Sequence, residues 1–189
     1  MNWELQLAAA LTAEEGHLLS ASKRARKLTK QVRYGAALKI LWKQLLVATR
    51  QRSARHRAFL LIHMGKVYRH WMIEVAFKFF RDARELSRTT GFVRGEMVAE
   101  SSIGELYLDW KEPARAIAHL ERCLFLAEEC AGLWWQRDVL VAVVQCLESL
   151  GHWDRSRLLR KRLDHMDGEI LAELWGEPEG RDPGLAVMR

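Results

Sequence analysis

The feature that most constrains the fold is a pattern that returns every 39 or 40 residues and covers two short amphipathic segments each time. A small residue recurs in the second segment of each copy, at Ala37, Ala76, Ala116 and Ser156. Four positions later a larger apolar residue follows, at Leu41, Phe80 and Leu120, and it is replaced by Arg160 in the last copy. A period of this size indicates an array of helical hairpins. One hairpin cannot bury its own apolar face, so the hairpins are expected to stack into a curved solenoid with a concave surface.

The first segments share a second motif. Gly65-Lys66-Val67-Tyr68 corresponds to Gly104-Glu105-Leu106-Tyr107, and Trp71 and Trp110 follow at matching positions. These residues resemble the tetratricopeptide repeat (TPR) family, and the third copy, with Gly104, Tyr107, Ala116, Leu120 and Cys123, fits the family pattern best. The spacing near 40 is similar to the longer-helix variety found in cell-polarity adaptors and kinesin light chains. The resemblance implies an all-α, right-handed α-solenoid of about four helical hairpins.

Local signals divide the chain further. We predict an N-terminal lead over 1–12, a repeat domain over 13–168 (about 13–50, 53–90, 95–131 and 133–168), and a C-terminal extension and tail over 169–189. Thr12 and Glu15 have the spacing of a capping box, and Pro113 suits a first helical turn. Glycines are expected just after helix ends at Gly91, Gly132 and Gly151. The eight predicted helices are 13–31, 36–50, 54–71, 74–90, 95–110, 113–131, 134–150 and 153–174.

Composition and the first residues restrict the cellular locations that we expect for this chain. No uninterrupted apolar run approaches the ~20 residues that span a bilayer, and the first residues lack a basic lead of the kind a secretory signal has. We therefore expect an intracellular, cytoplasmic protein, with the cytoskeleton or a cilium as candidate locations. The three cysteines, Cys123, Cys130 and Cys146, are an odd number without metal-ligand spacing, so we predict that Cys123 is a thiol of the core and assign no zinc site.

Charge gives the main functional hint. Between Glu15 and Glu74 the chain has fourteen Lys and Arg residues and no acidic residue. Residues 1–90 carry 18 basic and 6 acidic side chains (+12), whereas residues 91–189 carry 12 and 18 (−6), which together give the net charge of +6. A basic half of this kind can attract an acidic protein surface, nucleic acid or an anionic membrane. A merely solvated basic face is the alternative that involves no function.

The resemblance implies that the first helix of each hairpin lines a concave groove, where residues three or four apart share a face. The charged positions predicted to bind a partner on this basis are Arg26, Lys30, Lys66, Arg69, His70, Glu105, Asp109 and Glu148. Uncharged groove positions are Ser22, Ile62, Ser101, Leu108, Val141 and Gln145. The groove is therefore expected to change from basic to acidic along its length. A chaperone-binding role, which in this family needs groove asparagines, is not favoured because Asn2 is the only asparagine.

Catalytic and cofactor motifs were sought without result. The sequence has no glycine-rich phosphate loop and no zinc-binding histidine motif. His56, His63 and His70 are spaced seven apart, so each step covers about 10.5 Å of helix and they cannot share one metal ion. Trp134 and Trp135 open a helix, and packing into the next hairpin is the favoured interpretation over exposed anchoring of a partner. We predict no enzymatic activity, no cofactor and no small-molecule substrate.

Two functions remain. The first is a protein-protein interaction adaptor or scaffold within a larger assembly, whose partner has an acidic surface such as that of tubulin. The second is an RNA-binding helical-repeat protein of a ribonucleoprotein or organellar complex. Against RNA, the basic half lacks a regular aromatic residue on each groove helix for stacking bases. In its favour, aromatic residues lie among arginines near Tyr34, Phe59 and Tyr68.

Overall fold

The computed structural model describes residues 16–175, which form helices joined by short turns and contain no strand. The helices are α1 Gly16–Lys30, α2 Tyr34–Arg50, α3 Ala54–Tyr68, α4 Ile73–Thr89, α5 Val93–Asp109, α6 Pro113–Cys130, α7 Leu133–Ser149 and α8 Trp153–Trp175. From α2 onward each end lies within three residues of its predicted position. The predicted lead over 1–12, the capping box at Thr12 and the tail beyond 175 lie outside the described residues.

The small residues of the repeat mark the points where the two helices of a hairpin cross. Gly65 on α3 faces Phe80 on α4 so closely that a Cβ atom at Gly65 would lie 2.5 Å from the phenyl Cε1. Gly104 on α5 faces Leu120 on α6 in the same way, with 2.8 Å from a hypothetical Cβ to the leucine Cδ2. The small residue and the large apolar residue of the second helices are fully or almost fully buried, at Ala37, Leu41, Ala76, Phe80, Ala116, Leu120 and Ser156.

Five of the seven turns between the described helices share one backbone conformation. Val32, Arg52, Gly91, Lys111 and Gly151 each adopt a positive φ, between 53° and 75°. The next residue donates its N–H to the carbonyl five positions back, as in Phe92 N to Ser87 O at 2.9 Å and His152 N to Leu147 O at 2.8 Å. This is the Schellman ending of a helix. The prediction of helix-ending glycines is thus confirmed for Gly91 and Gly151.

The same prediction was wrong for Gly132. Its φ is −72° and its ψ is 165°, so it is an extended residue that precedes α7 rather than a left-handed residue that ends α6. Helix α6 ends at Cys130, and the residue that caps it, Ala131, is also extended. Pro113 lies in the first turn of α6, as predicted.

The hairpins stack in order along the chain. Each helix packs on the next, and α1 also contacts α3 while α3 contacts α5. The first helices of successive hairpins therefore lie side by side. We call the face formed by α1, α3 and α5 the first-helix surface. In the part of the chain from 16 to 175, no helix has the length and apolar character needed to cross a bilayer.

Candidate functional site

Four of the residues predicted to bind a partner meet in one ion-pair network on the first-helix surface. Lys66 Nζ on α3 lies 3.4 Å from Glu105 Oε2 on α5. Arg69 contacts the same carboxylate and also donates from Nη2 to Asp109 Oδ2 at 2.6 Å. Lys66 and Glu105 are equivalent positions of neighbouring repeats, 39 residues apart. The cations of the second hairpin are thus neutralised by the anions of the third.

The network alters the acidity of its members. Burial alone would raise the pKa of Glu105, but the charges of Lys66 and Arg69 outweigh it and the pKa is lowered. Burial lowers the pKa of Lys66, and Glu105 opposes that effect. Each charge therefore depends on its partners, because an ion removed from water is stable only when it is paired. This centre of the surface is a structural cross-link between α3 and α5.

The other predicted residues lie apart from this network. Arg26 and Lys30 are exposed on α1, and the Arg26 charge contributes to lowering the pKa of His63 on α3. His70 is exposed after α3, and its ring stacks on Tyr34 with 5.4 Å between ring centroids. Glu148 on α7 accepts hydrogen bonds from Ser156 Oγ and Arg160 Nε, each at 2.7 Å.

His63 is a buried histidine on α3, whose burial the sequence did not predict. Its side chain is buried, and its ring centroid lies 4.5 Å from that of Phe59. Burial first, and then the charges of Lys66 and Arg26, lower the pKa of His63 to about 3. The imidazole is therefore neutral at physiological pH and adds no charge to the surface.

Exposed positive charge is concentrated on the first hairpin, the turn that follows it and the start of α3. Eleven of the fourteen basic residues between Glu15 and Glu74 are exposed: Lys23, Arg24, Arg26, Lys27, Lys30, Arg33, Lys39, Lys43, Arg50, Arg52 and Arg55. They occupy both the first-helix surface and the outward side of α2. The basic region is thus wider than the predicted groove positions.

A row of aromatic rings borders this basic region, and the sequence analysis missed it. Measured between ring centroids, Tyr34 stacks on Trp71 at 4.5 Å, and Trp71 contacts Tyr68 at 5.2 Å. Tyr68 in turn stacks on Phe79 at 5.2 Å, and Phe79 packs edge-on against Trp42 at 6.3 Å. These residues belong to α2, α3, α4 and the turn between them, so no single-helix periodicity reveals the row. Phe59, which sequence proximity grouped with the arginines, is fully buried in the core.

The remaining predictions concern the core. Cys123 is completely buried and unpaired with another cysteine, and burial raises its pKa to about 12, which confirms a core thiol. Of the tryptophan pair, Trp135 is buried as the packing interpretation expects, whereas Trp134 is 53% exposed. Among residues 16–175, no three His, Cys, Asp or Glu side chains are grouped as metal ligands would be.

Comparison with solved structures identifies the architecture. A structure of a Podosopora anserina kinesin light chain with nearly identical TPR-like repeats superposes with a TM-score of 0.68, at 11% identity over 84% of this chain and 78% of the other. BtubC (BKLC) from P. vanneervenii gives a TM-score of 0.71, at 13% identity over 89% of this chain and 69% of the other. The fold is a TPR-like solenoid. No protein-family model matches the sequence, and no curated protein is significantly similar to it.

Proposed function

We propose that this chain is a non-catalytic adaptor that binds an acidic protein partner through its basic N-terminal half. The observation that carries the proposal is the eleven exposed cations over the first hairpin, the following turn and the start of α3, without an acidic residue from Gly16 to Ile73. Stacked-hairpin solenoids present extended surfaces suited to binding. A strongly one-signed surface of this kind speeds association with a partner of opposite charge and disfavours wrong partners.

The proposal extends to where the partner binds and what it is. The exposed groups on the first-helix surface, Arg26 and Lys30, contact one end of the partner, and the Lys66–Glu105 network holds the neighbouring hairpins in register. The partner is an acidic protein surface of the tubulin kind in a cytoskeletal or ciliary assembly. The kinesin light chain among the structural neighbours is compatible with this setting, although its likeness concerns the fold alone.

The test is affinity capture of the full chain at near-physiological salt, with and without nuclease, followed by identification of the captured proteins. The decisive variant reverses three exposed lysines of α1, Lys23→Glu, Lys27→Glu and Lys30→Glu. A matched control reverses three exposed cations elsewhere, Lys111→Glu, Arg157→Glu and Lys161→Glu, and so makes the same change in net charge. The first variant should lose its partners while the second keeps them.

Lys66 and Arg69 are left unchanged in these variants. Reversing either of them would place an additional negative charge beside Glu105 or Asp109 and destabilise the α3–α5 contact. Loss of binding in such a variant would then report unfolding rather than recognition. Capture of acidic proteins that survives nuclease supports the adaptor, whereas loss of all captured species after nuclease would show that the chain binds RNA instead.

A further inference from the structure

The outward face of α2 combines apolar and basic side chains in an arrangement that the fold does not require. Trp42 is 45% exposed and Leu46 is 59% exposed, and they are four residues apart on one face of the helix. Lys39, Lys43 and Arg50 are exposed on the same helix, and their spacing places all three on one side of these two residues. The helix contains no acidic residue that could neutralise these cations. Two large apolar side chains therefore lie in water beside a row of positive charge.

The same positions in the next hairpin show that apolar residues are dispensable there. One repeat later, Trp42 corresponds to Arg81 and Leu46 corresponds to Glu85, both exposed on α4. A charged, solvated outer face is therefore compatible with this packing. The core contacts of α2 are made by other residues, among them Ala37, Leu41 and Ala48. The exposed Trp42 and Leu46 need an explanation outside the stability of the solenoid.

The apolar area continues beyond α2. Trp42 meets Phe79 edge-on, Phe79 stacks on Tyr68, and Tyr68 contacts Trp71. Trp71 is 42% exposed and the adjacent Met72 is 43% exposed. We call the four exposed residues Trp42, Leu46, Trp71 and Met72 the Trp42 patch. Large exposed apolar patches bordered by polar residues mark interaction sites, and tryptophans are frequent among residues that dominate binding energy.

We infer that the Trp42 patch binds an acidic amphipathic helix of a partner protein, and this inference rests on the proposed adaptor function. The i, i+4 pair Trp42 and Leu46 forms a ridge along α2 that can pack against the apolar stripe of a second helix. Lys39, Lys43 and Arg50 lie along one side of the ridge and pair with carboxylates beside that stripe. The ridge lies on α2, and Trp71 and Met72 extend the patch into the turn between α3 and α4. The patch thus provides a second contact, besides Arg26 and Lys30 on α1, for the same class of acidic partner.

The aromatic row favours a protein ligand over a single nucleic acid strand. Bases bind by stacking on open ring faces, but Tyr34, Tyr68, Trp71 and Phe79 stack on or pack against one another. An amphipathic helix needs apolar area and adjacent charge instead of open ring faces. The positive charge beside the patch selects acidic helices among all amphipathic helices.

The test uses a designed peptide as the probe. It is an 18-residue fluorescent peptide with Leu at helical positions i, i+3, i+4 and i+7 and mainly Glu elsewhere. A scrambled peptide of the same composition separates helical recognition from simple charge attraction. Binding to the full chain is measured by fluorescence anisotropy, together with the double variant Trp42→Ala, Leu46→Ala. The control Phe125→Ala removes an equally exposed apolar side chain, 53% exposed, at the repeat position that corresponds to Leu46.

The expected result is tighter binding of the amphipathic peptide than of the scrambled one. The double variant should lose at least about tenfold in affinity, as truncated binding anchors do, while Phe125→Ala changes it little. Thermal melts establish that the variants are folded. Equal binding of both peptides, no binding at all, or an unchanged affinity in the double variant would overturn the inference.

Other occupants give distinct results. Binding of uridine-rich RNA or of phosphatidylserine vesicles that depends on Trp42 and Leu46, without peptide binding, would replace the inferred helix with nucleic acid or membrane. Self-association that the double variant abolishes would identify a second copy of this chain. If the reversed lysines of α1 abolish capture of the partner while the double variant retains it, the adaptor function stands and this inference fails.

Discussion

At the scale of single residues, the glycines at helix crossings determine how closely the two helices of a hairpin approach. Gly104 has Leu120 so near that any side chain would overlap it. Gly168 in α8 offers the opposite environment, because a Cβ added there would meet no atom within 4 Å. The repeat pattern predicts the first position but is silent on the second, since Gly168 belongs to no repeated motif.

The substitution Gly104→Ala is therefore expected to destabilise the protein by about 1 to 3 kcal/mol, the usual effect of overpacking a core. Gly168→Ala should do the reverse and stabilise it by about 0.4 to 1 kcal/mol, because alanine restricts the unfolded chain and favours the helix. Urea unfolding monitored by circular dichroism measures both. A neutral Gly104→Ala variant would show that α5 and α6 cross elsewhere.

His63 makes a second prediction at this scale, one of pH dependence. Its pKa is about 3 in the folded chain and near 6.5 when unfolded, so the unfolded state binds the proton first as pH falls. The stability is fully present above pH 6.5 and declines toward pH 3, by about 1.4 kcal/mol per pH unit. Between pH 7 and pH 5 the wild type should lose about 2 kcal/mol more than the non-titrating variant His63→Gln. Parallel losses in the two proteins would contradict a buried neutral imidazole.

At the scale of helices and turns, the left-handed backbone conformation after a helix is not always occupied by the glycine that suits it. Gly91 and Gly151 take this conformation without a penalty, whereas Val32 takes it with a φ of 60°. A β-branched residue in this region is a strained outlier. Val32 is also 68% exposed, so little burial compensates for the strain.

Replacing Val32 with glycine should raise the free energy of unfolding by roughly 1 kcal/mol, because strained non-glycine residues cost about that much. The control is Val32→Ala, which removes the branched side chain but keeps a Cβ atom and should gain less. Thermal unfolding of the three proteins ranks them. Wild-type stability in Val32→Gly would mean that the turn is not held in the left-handed conformation.

The helices themselves could be predicted because their signals are local and repeated. Small residues and periodic apolar positions lie within each segment, and Pro113 marks the start of α6. Each copy of the repeat supports the assignment of the next. Gly132 was assigned wrongly because a glycine between two helices suits the end of one as well as the start of the next. The left-handed turns at Val32, Arg52 and Lys111 carried no glycine signal at all.

At the scale of the whole molecule, charge is distributed unevenly between the hairpins, because residues 16–73 contain no acidic side chain. Residues 16–73 supply Lys66 and Arg69 to the central network. Farther along, α8 is tied to α6 by Arg155 to Glu121 and by Arg162 to Glu128, each at 2.6 Å. The sequence predicted the charges of the candidate site but not their mutual pairing. The pairing could have been predicted from one repeat position, where the charge changes from positive at Lys66 to negative at Glu105. The change is visible only when neighbouring repeats are aligned with each other.

This asymmetry predicts different responses to salt at the two ends. At 0.01 M ionic strength the Debye length is about 30 Å, so the exposed cations of α1 and α2 repel one another over that distance. At 0.1 M the Debye length falls to about 10 Å and the repulsion weakens. Added NaCl should therefore slow amide hydrogen exchange in the first hairpin by roughly two- to threefold, the scale of exposed charge interactions. In α6 and α8 it should leave exchange unchanged or speed it, because there the charges attract. Exchange mass spectrometry resolves the helices, and sucrose serves as the control that stabilises folded proteins without screening charge. Equal slowing in all helices would mean that salt stabilises the whole fold in a general way. It would contradict the expectation that repulsion between cations destabilises the basic half and that an acidic partner relieves it.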